Sequence, residues 1–426
     1  MMENEYLKIA EQAEKYKTVQ NLMSSINAST LKSAHKRQIK KKAAGVDGVS
    51  KSEYDENLEE NLVNLVERMK KFSYRPLPVR RTYIPKIGSD KLRPLGIPAY
   101  EDKLVQGVMA NILTLIYEPK FKDFSYGFRP KRNCHDAIKE LNTVIMTKKC
   151  GFVVDADIKG FFDNVSHEWL IKFLEHDIAD KNFIRYVKRF LKSGIMEQGK
   201  LLECDKGTPQ GGLISPILAN VYLHYVLDLW FEKEIHNRFN GEAYMIRYAD
   251  DFVCCFKYEN EARKFYEMLK ERFAKFGLEL SEEKSKVIRF GRYARENGSK
   301  ETFDFLGFTY INGMNRFGKY IIVHQTSSQK LKSKMKIVKQ WLYEHFHEDK
   351  REIVKKLNQK LVGHYRYYGV TGNIGKMRIF EWYIEKELFK ALNRRSQKKM
   401  TWDTYNIFLK FNPIAQPKIY VSMLGK

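Results

Sequence analysis

The chain has few cysteines, and none is arranged for chemistry. Its five (Cys134, Cys150, Cys204, Cys254 and Cys255) form no C-x-x-C pair and no even framework. That excludes a disulfide scaffold and a thiolate zinc site, and it is what reduced residues of an intracellular protein look like. Long apolar runs are missing as well: nowhere do the roughly 18 consecutive apolar residues of a membrane helix occur. The first residues, MMENEYLKIAEQAEKYK, are charged and helical in pattern, unlike a signal sequence. A cytoplasmic protein with no membrane partner is expected. Acidic residues are the minority charge, 52 Asp+Glu against 76 Lys+Arg, which leaves +24 over 426 residues. Such a balance favours a polyanionic partner, nucleic acid above all.

What is present can build cores. Hydrophobic residues make up 43% and aromatics 13% of the chain, enough for two or three domains at this length. Residues 1–75 have helical spacing interrupted by AAGVDGVS (Ala43 to Ser50), and form a helical N-terminal extension. From Tyr74 to Pro98 the text turns to proline-punctuated strands with Gly88-Ser89-Asp90 as the hairpin turn. Leu104, Val105, Val108, Ile112, Leu113 and Ile116 recur at helical spacing before Pro119. A β-type run, GFVVDADIKGFF, is followed by helices between His167 and Leu191. The Gly/Pro loop KGTPQGGLISP (Lys206 to Pro216) leads into the apolar helix ILANVYLHYVLDLW. Helix Ala262 to Phe276, strand Ser285 to Phe290 and a further strand FDFLGFTY (Phe303 to Tyr310) complete an α+β block over residues 76–315. Residues 325–426 hold 22 Lys+Arg against 8 Asp+Glu, a net +14, and spell long helices: a separate, strongly basic helical domain with a short C-terminal tail.

Two acidic segments carry the chemistry. In MIRYADDFVCCF the flanks Tyr244 to Tyr248 and Phe252 to Phe256 alternate as two strands, with Ala249-Asp250 as the turn. The adjacent carboxylates of Asp250 and Asp251 repel unless a cation lies between them or both face water, as in an ordinary solvated turn. Upstream, Asp155 and Asp157 point to one face of a strand that breaks at Gly160, where either could also cap a helix or pair with a lysine. A carboxylate from one strand and an Asp pair from a neighbouring hairpin make a site for two Mg²⁺ ions, the arrangement that drives in-line phosphoryl transfer.

Taken together, YADD at Tyr248 to Asp251, DIKGFFDNV at Asp157 to Val165, GTPQGG at Gly207 to Gly212, RPLGIP at Arg93 to Pro98, YGFRP at Tyr126 to Pro130 and AGVDGVS resemble a reverse transcriptase of the bacterial group II intron type. The motifs fall in that family's order and, with LNQKLVGHYRYYGV (Leu357 to Val370) and ALNRRSQKK (Ala391 to Lys399), which resemble its thumb, cover roughly residues 43–399. The resemblance implies a right-hand polymerase, fingers and palm with an antiparallel palm sheet, plus an all-helical thumb. It implies an RNA template, a DNA or RNA primer and deoxynucleoside triphosphates, with group II intron RNA as a further partner of a maturase.

Residue by residue, the resemblance makes Asp157, Asp250 and Asp251 the metal-binding acids, Asp157 being preferred to Asp155 because Phe162 then falls five residues later. It makes Phe162 the ring that excludes a 2′-hydroxyl; a core ring beside Phe161 is the alternative. Lys86 and Arg93 match triphosphate-holding residues, or else are solvated edge cations. Gln210 matches the residue near the nascent base pair, and Lys284 a proton donor to the leaving pyrophosphate, or else a surface ion pair. Arg129 in YGFRP, Tyr365 and Arg366 in GHYRYYG, and Arg394, Arg395, Lys398 and Lys399 are expected on nucleic acid. Of the tyrosines 365, 367 and 368, at least one must face the core. No cysteine follows Cys255 and little sequence follows the last expected helix, so a zinc-containing nuclease is not expected, nor a full DNA-binding domain. A free-standing reverse transcriptase of DNA repair or phage defence, and an RNA-binding splicing cofactor without essential polymerase activity, are the alternatives.

Overall fold

Helix starts are written in local side-chain chemistry. The computed structural model describes residues 2–85, 92–208, 211–394 and 399–423. In the N-terminal extension the helices Met2–Lys15, Ala28–Arg37, Lys51–Glu56 and Leu58–Lys70 follow one another. Asn27 with Thr30, and Ser50 with Glu53, cap the second and third reciprocally, which satisfies the free N–H groups of each first turn. Leu62, Leu65, Val66 and Met69 give the fourth one buried stripe.

The strands are β1 Val79–Pro85, β2 Leu92–Ile97, β3 Phe152–Asp157, β4 Ile195–Glu197, β5 Lys200–Leu202, β6 Ala243–Tyr248, β7 Asp251–Phe256, β8 Lys286–Arg289, β9 Thr302–Phe305, β10 Phe308–Met314 and β11 Tyr320–Thr326. They form sheets of order β2-β1-β4-β5, β6-β7-β3-β8 and β11-β10-β9. The apolar helix expected after the Gly/Pro loop begins at Ser215 and runs on through two π turns, His224–Asp228 and Phe231–Ile235. Mixed helices and sheets of this order agree with the α+β polymerase expected.

The chain divides into two compact units. One comprises residues 1–84, 92–137 and 156–287; the other comprises 85–91, 138–155 and 288–426. FDFLGFTY is not one strand. Leu306 and Gly307 both take positive φ (49° and 78°), the two-residue turn that suits the twist of paired strands, so β9 and β10 fold back with Phe305 opposite Phe308. Helices then take over at Ser328, as expected. Ser328–His345, Lys350–Tyr368, Ile374–Leu392 and Trp402–Phe411 enclose a core of Leu342, Leu357, Leu361, Phe380, Ile384 and Leu388. Each such side chain contributes about 1.5–3 kcal/mol by leaving water. The last helix adds Tyr405 and Phe408 to this core, so it is part of the helical body, where the sequence suggested only a tail. Among the described residues no helix is long and apolar enough to cross a membrane.

Candidate active site at the tip of the β6–β7 hairpin

Tyr248 pairs with Asp251, which leaves Ala249 and Asp250 as the turn, the loop read from the sequence. Ala249 sits at φ 59°, a conformation that costs an alanine roughly 1–2 kcal/mol, so something must hold it. Arg247 does. Its guanidinium donates to the Ala249 carbonyl (3.0 Å) and to Asn220 Oδ1 (3.1 Å) through Nη1, and to Asp228 through Nε (2.7 Å) and Nη2. Both partners of the Arg247–Asp228 pair are fully buried. The backbone of Arg247 is gripped as well: its N–H donates to the Phe124 carbonyl and its own carbonyl accepts from the Tyr126 N–H, each at 2.8 Å.

That contact gives the YGFRP motif its place. Asn220 Nδ2 donates to the Gly127 carbonyl (2.7 Å), and a Cβ on Gly127 would stand 2.3 Å from the Ala249 nitrogen, so only glycine lets the two segments meet. Arg129 is not offered to nucleic acid, contrary to expectation. It is 7% exposed, and its guanidinium is taken up by the Glu118 carboxylate and by the carbonyls of Lys122 and Ser125. A buried guanidinium needs such partners, and here they staple the segment that braces the turn.

Asp157 ends β3, half-buried. The LSEEKSK segment wraps that end: the Asp157 N–H donates to Ser285 Oγ (3.1 Å), and the Asp157 carbonyl accepts from the Ser281 N–H (2.8 Å). Lys284 is thereby delivered to the site, its Nζ 2.7 Å from Asp157 Oδ2. It is an ion pair, as one reading of it held, but with the strand acid and not with its neighbouring glutamates.

The remaining motifs meet around these acids. Phe161 is the core ring, 2% exposed; Phe162 stacks edge-on against it at 5.3 Å and is partly buried. The Gly207–Gly212 loop is moored to that turn by the Thr208 N–H on the Phe162 carbonyl (2.7 Å). At its other end Gly211, at φ 111°, lies so close to β2 that a Cβ would stand 2.4 Å from the Gly96 carbonyl oxygen. Exposed Arg93 is the second residue of that same strand. Lys86, Gln210, Arg395 and Lys398 lie outside the described residues.

Burial pushes the Asp250 carboxyl above its usual range, and the negative charge of Asp157 pushes it further; its own backbone N–H, Arg93 and Arg247 pull the other way. A carboxyl whose charge is disfavoured by burial and by a second acid is one donor for a hard cation, which would relieve that repulsion. Among the described residues no three His, Cys, Asp or Glu side chains yet converge as a metal site; the Asp157 oxygen faces Lys284 instead.

In the helical unit the expected nucleic-acid residues separate. Tyr365 is 0% exposed and belongs to the core, which removes it as a contact: it falls on the inner face of Lys350–Tyr368. Tyr367 donates to the Leu306 carbonyl (3.0 Å) and stacks on Phe308. Arg366 and Lys399 are exposed, and Arg394, also exposed, lies over the Tyr343 ring at 4.2 Å. The sequence reading missed Arg247, Asp228 and Asn220. A signal was there: a lone base in an apolar strand and a lone acid in an apolar helix.

Comparison with known proteins agrees with this geometry. The family model described as reverse transcriptase (RNA-dependent DNA polymerase) matches residues 84–310. The group II intron-encoded protein LtrA of Lactococcus lactis subsp. cremoris is 30% identical over 437 residues, covering 84% of this chain and 72% of that protein. Protein YkfC of Escherichia coli K12 is 32% identical over 324 residues, covering 68% of this chain and 81% of its own. Telomerase from Candida albicans superposes over 85% of this chain and 65% of that one, with TM-score 0.44 and 13% identity, a likeness too distant to bear on function. The matched span includes both acidic segments and the motifs that brace them: the chain belongs to the reverse transcriptase family, the RNA-dependent DNA polymerases, and within it to the group II intron-encoded type.

Proposed function

We propose that this RNA-directed DNA polymerase extends a DNA or RNA primer with deoxynucleoside triphosphates at Asp157, Asp250 and Asp251, and that it also binds group II intron RNA as a maturase. The family generally uses divalent metal ions. Here the three acids would hold two Mg²⁺ ions, which when bound activate the primer 3′-hydroxyl and neutralise charge on the transferred phosphoryl group. The protein's own residues do the positioning. Arg93, with Lys86, binds the triphosphate. Phe162 lies under the sugar, where a 2′-hydroxyl would clash, and Gln210 borders the nascent base pair. Lys284 Nζ, held beside Asp157, donates a proton to the departing pyrophosphate. Arg366, Arg394, Arg395, Lys398 and Lys399 bind phosphates of template, primer or intron.

The observation that carries this reading is that β7, which begins at Asp251, is the sheet neighbour of β3, which ends at Asp157, so acids from two separate motifs share one sheet. Its test is Asp250→Asn. Primer extension on an RNA template falls by several orders of magnitude while RNA affinity is unchanged; retained synthesis overturns the assignment. The intron role rests on kinship with LtrA, whose name records an intron-encoded protein. Splicing of the cognate intron by the same variant separates that role from polymerisation.

A further inference from the structure

A second site stands in the unit formed by residues 85–91, 138–155 and 288–426. A cavity of about 790 Å³ opens between the short helix Arg292–Glu296, the segment Gly298–Lys300 and the β10–β11 hairpin. Its lining is lopsided in charge. Arg292, Arg295, Lys300 and Lys319 face a single acid, Glu296, and Met146, Met314 and Tyr320 supply an apolar wall.

Among the described residues, two buried donors near it have no acceptor: Arg295 Nε and Asn312 Nδ2. Arg295 lines the cavity and gives Nη1 to the Asn312 carbonyl (3.0 Å). Asn312, 6% exposed, is fixed by the Tyr320 hydroxyl (2.7 Å) and the Gly291 N–H (3.2 Å), both donating to its Oδ1. Both atoms are shut off from solvent, so what the cavity offers a ligand is the exposed charge of Arg292, Lys300 and Lys319 beside the partly exposed Arg295.

The hairpin tip adds an aromatic. Phe317, between lining residues Met314 and Lys319, is 71% exposed, with the Arg316 guanidinium 4.7 Å over its ring. Cations that take phosphates beside a solvent-facing ring that can stack on a base are the means by which proteins hold unpaired nucleic-acid strands. A cavity of this size accommodates one nucleotide.

We propose that this cavity and the Phe317 tip form a single-strand binding site: one phosphate lies among Arg295, Lys319 and their neighbours, and an unstacked base lies on Phe317. The proposal rests on the nucleic-acid-handling role above but uses none of the residues assigned to polymerisation. RNA and DNA share the recognised chemistry.

The test uses the full chain saturated with an unlabelled primer–template duplex, to which a labelled 12-nucleotide strand, ribo or deoxy, is added while its anisotropy is followed. Wild type binds the strand; Lys319→Glu combined with Arg295→Gln lowers that affinity at least tenfold, and Phe317→Ala at least fivefold. Extension of the duplex primer stays at the wild-type rate in all three proteins. Tighter binding of the ribo strand identifies RNA as the ligand, and tighter binding of the deoxy strand identifies DNA. Because Lys319 and Phe317 are exposed, Lys319→Glu alone and Phe317→Ala guard against a folding artefact of Arg295→Gln. Wild-type affinity in these variants, or no strand binding by the saturated wild type, overturns the proposal. Loss of primer extension in the wild type would instead count against the polymerase reading and leave strand binding to be judged by itself.

Discussion

The backbone of Gly127 meets that of Ala249 so closely that a Cβ added to the glycine would lie 2.3 Å from the alanine nitrogen. A loop far upstream thus forms the back wall of the turn that carries Asp250. Gly127→Ala is therefore expected to push the turn out of register by several tenths of an ångström and to cut primer extension about 100-fold. Overpacking costs about 1–3 kcal/mol of stability besides. Single-turnover extension beside a thermal melt checks it, and an unchanged rate would show that the contact is not needed.

Arg247 and Asp228 are the second lever. Both are wholly buried, so removing one partner leaves a charge stranded, at a cost of about 3–5 kcal/mol. Arg247→Met and Asp228→Leu should each lower the melting temperature sharply. The double variant, whose two apolar groups need no partner, should regain much of the stability. It should not regain the extension rate, because the Ala249 carbonyl has lost its donor. Chemical denaturation of the three proteins measures this coupling directly.

Phe162 is partly buried while Phe161 fills the core. Phe162→Ala should cost about 1–3 kcal/mol of stability, since much of the ring is buried. Ribonucleotide incorporation should rise by roughly 100-fold relative to deoxynucleotide, a clash of a few kcal/mol having been removed. Competition assays with matched ribo- and deoxynucleoside triphosphates give the ratio; an unchanged ratio would return the ring to a packing role.

Acid should loosen the second unit. His324 is 0% exposed, with neither ring nitrogen partnered among the described residues, and burial lowers its pKa from 6.5 to about 4; burial likewise lowers His364 to about 4. In both the folded value lies below the unfolded one, so the unfolded chain takes up protons first. Stability present above pH 6.5 is lost as pH falls through about 4, on the order of 3 kcal/mol for each histidine. His324→Phe should flatten that acid limb in urea titrations across the window, whereas an unaltered limb would mean that the histidine is not its source.

The acids, the hairpin and the order of elements were legible because they depend on spacing within a few residues. Alternation on either side of Ala249-Asp250 defines two strands wherever the chain goes. The supports were less legible. Arg129 reads as a cation beside an aromatic; only the fold brings Glu118 and two carbonyls to its guanidinium. Tyr365 differs from Arg366 by one helical position, and which face is buried depends on neighbours far along the chain. The reversal at Leu306 needs a leucine at positive φ, a conformation no local rule favours. Even so, Arg247 shares its strand face with buried Ala243 and Met245, and a charge on such a face signals a partner.

The ring of bonds from Arg247 to Asp228, Asn220 and Ala249, closed through Gly127, joins the Ala249-Asp250 turn to the interior with no slack between them. Heating should not fray this loop ahead of everything else, as it does many surface turns. Loss of catalysis and loss of the native state should coincide along one melting curve.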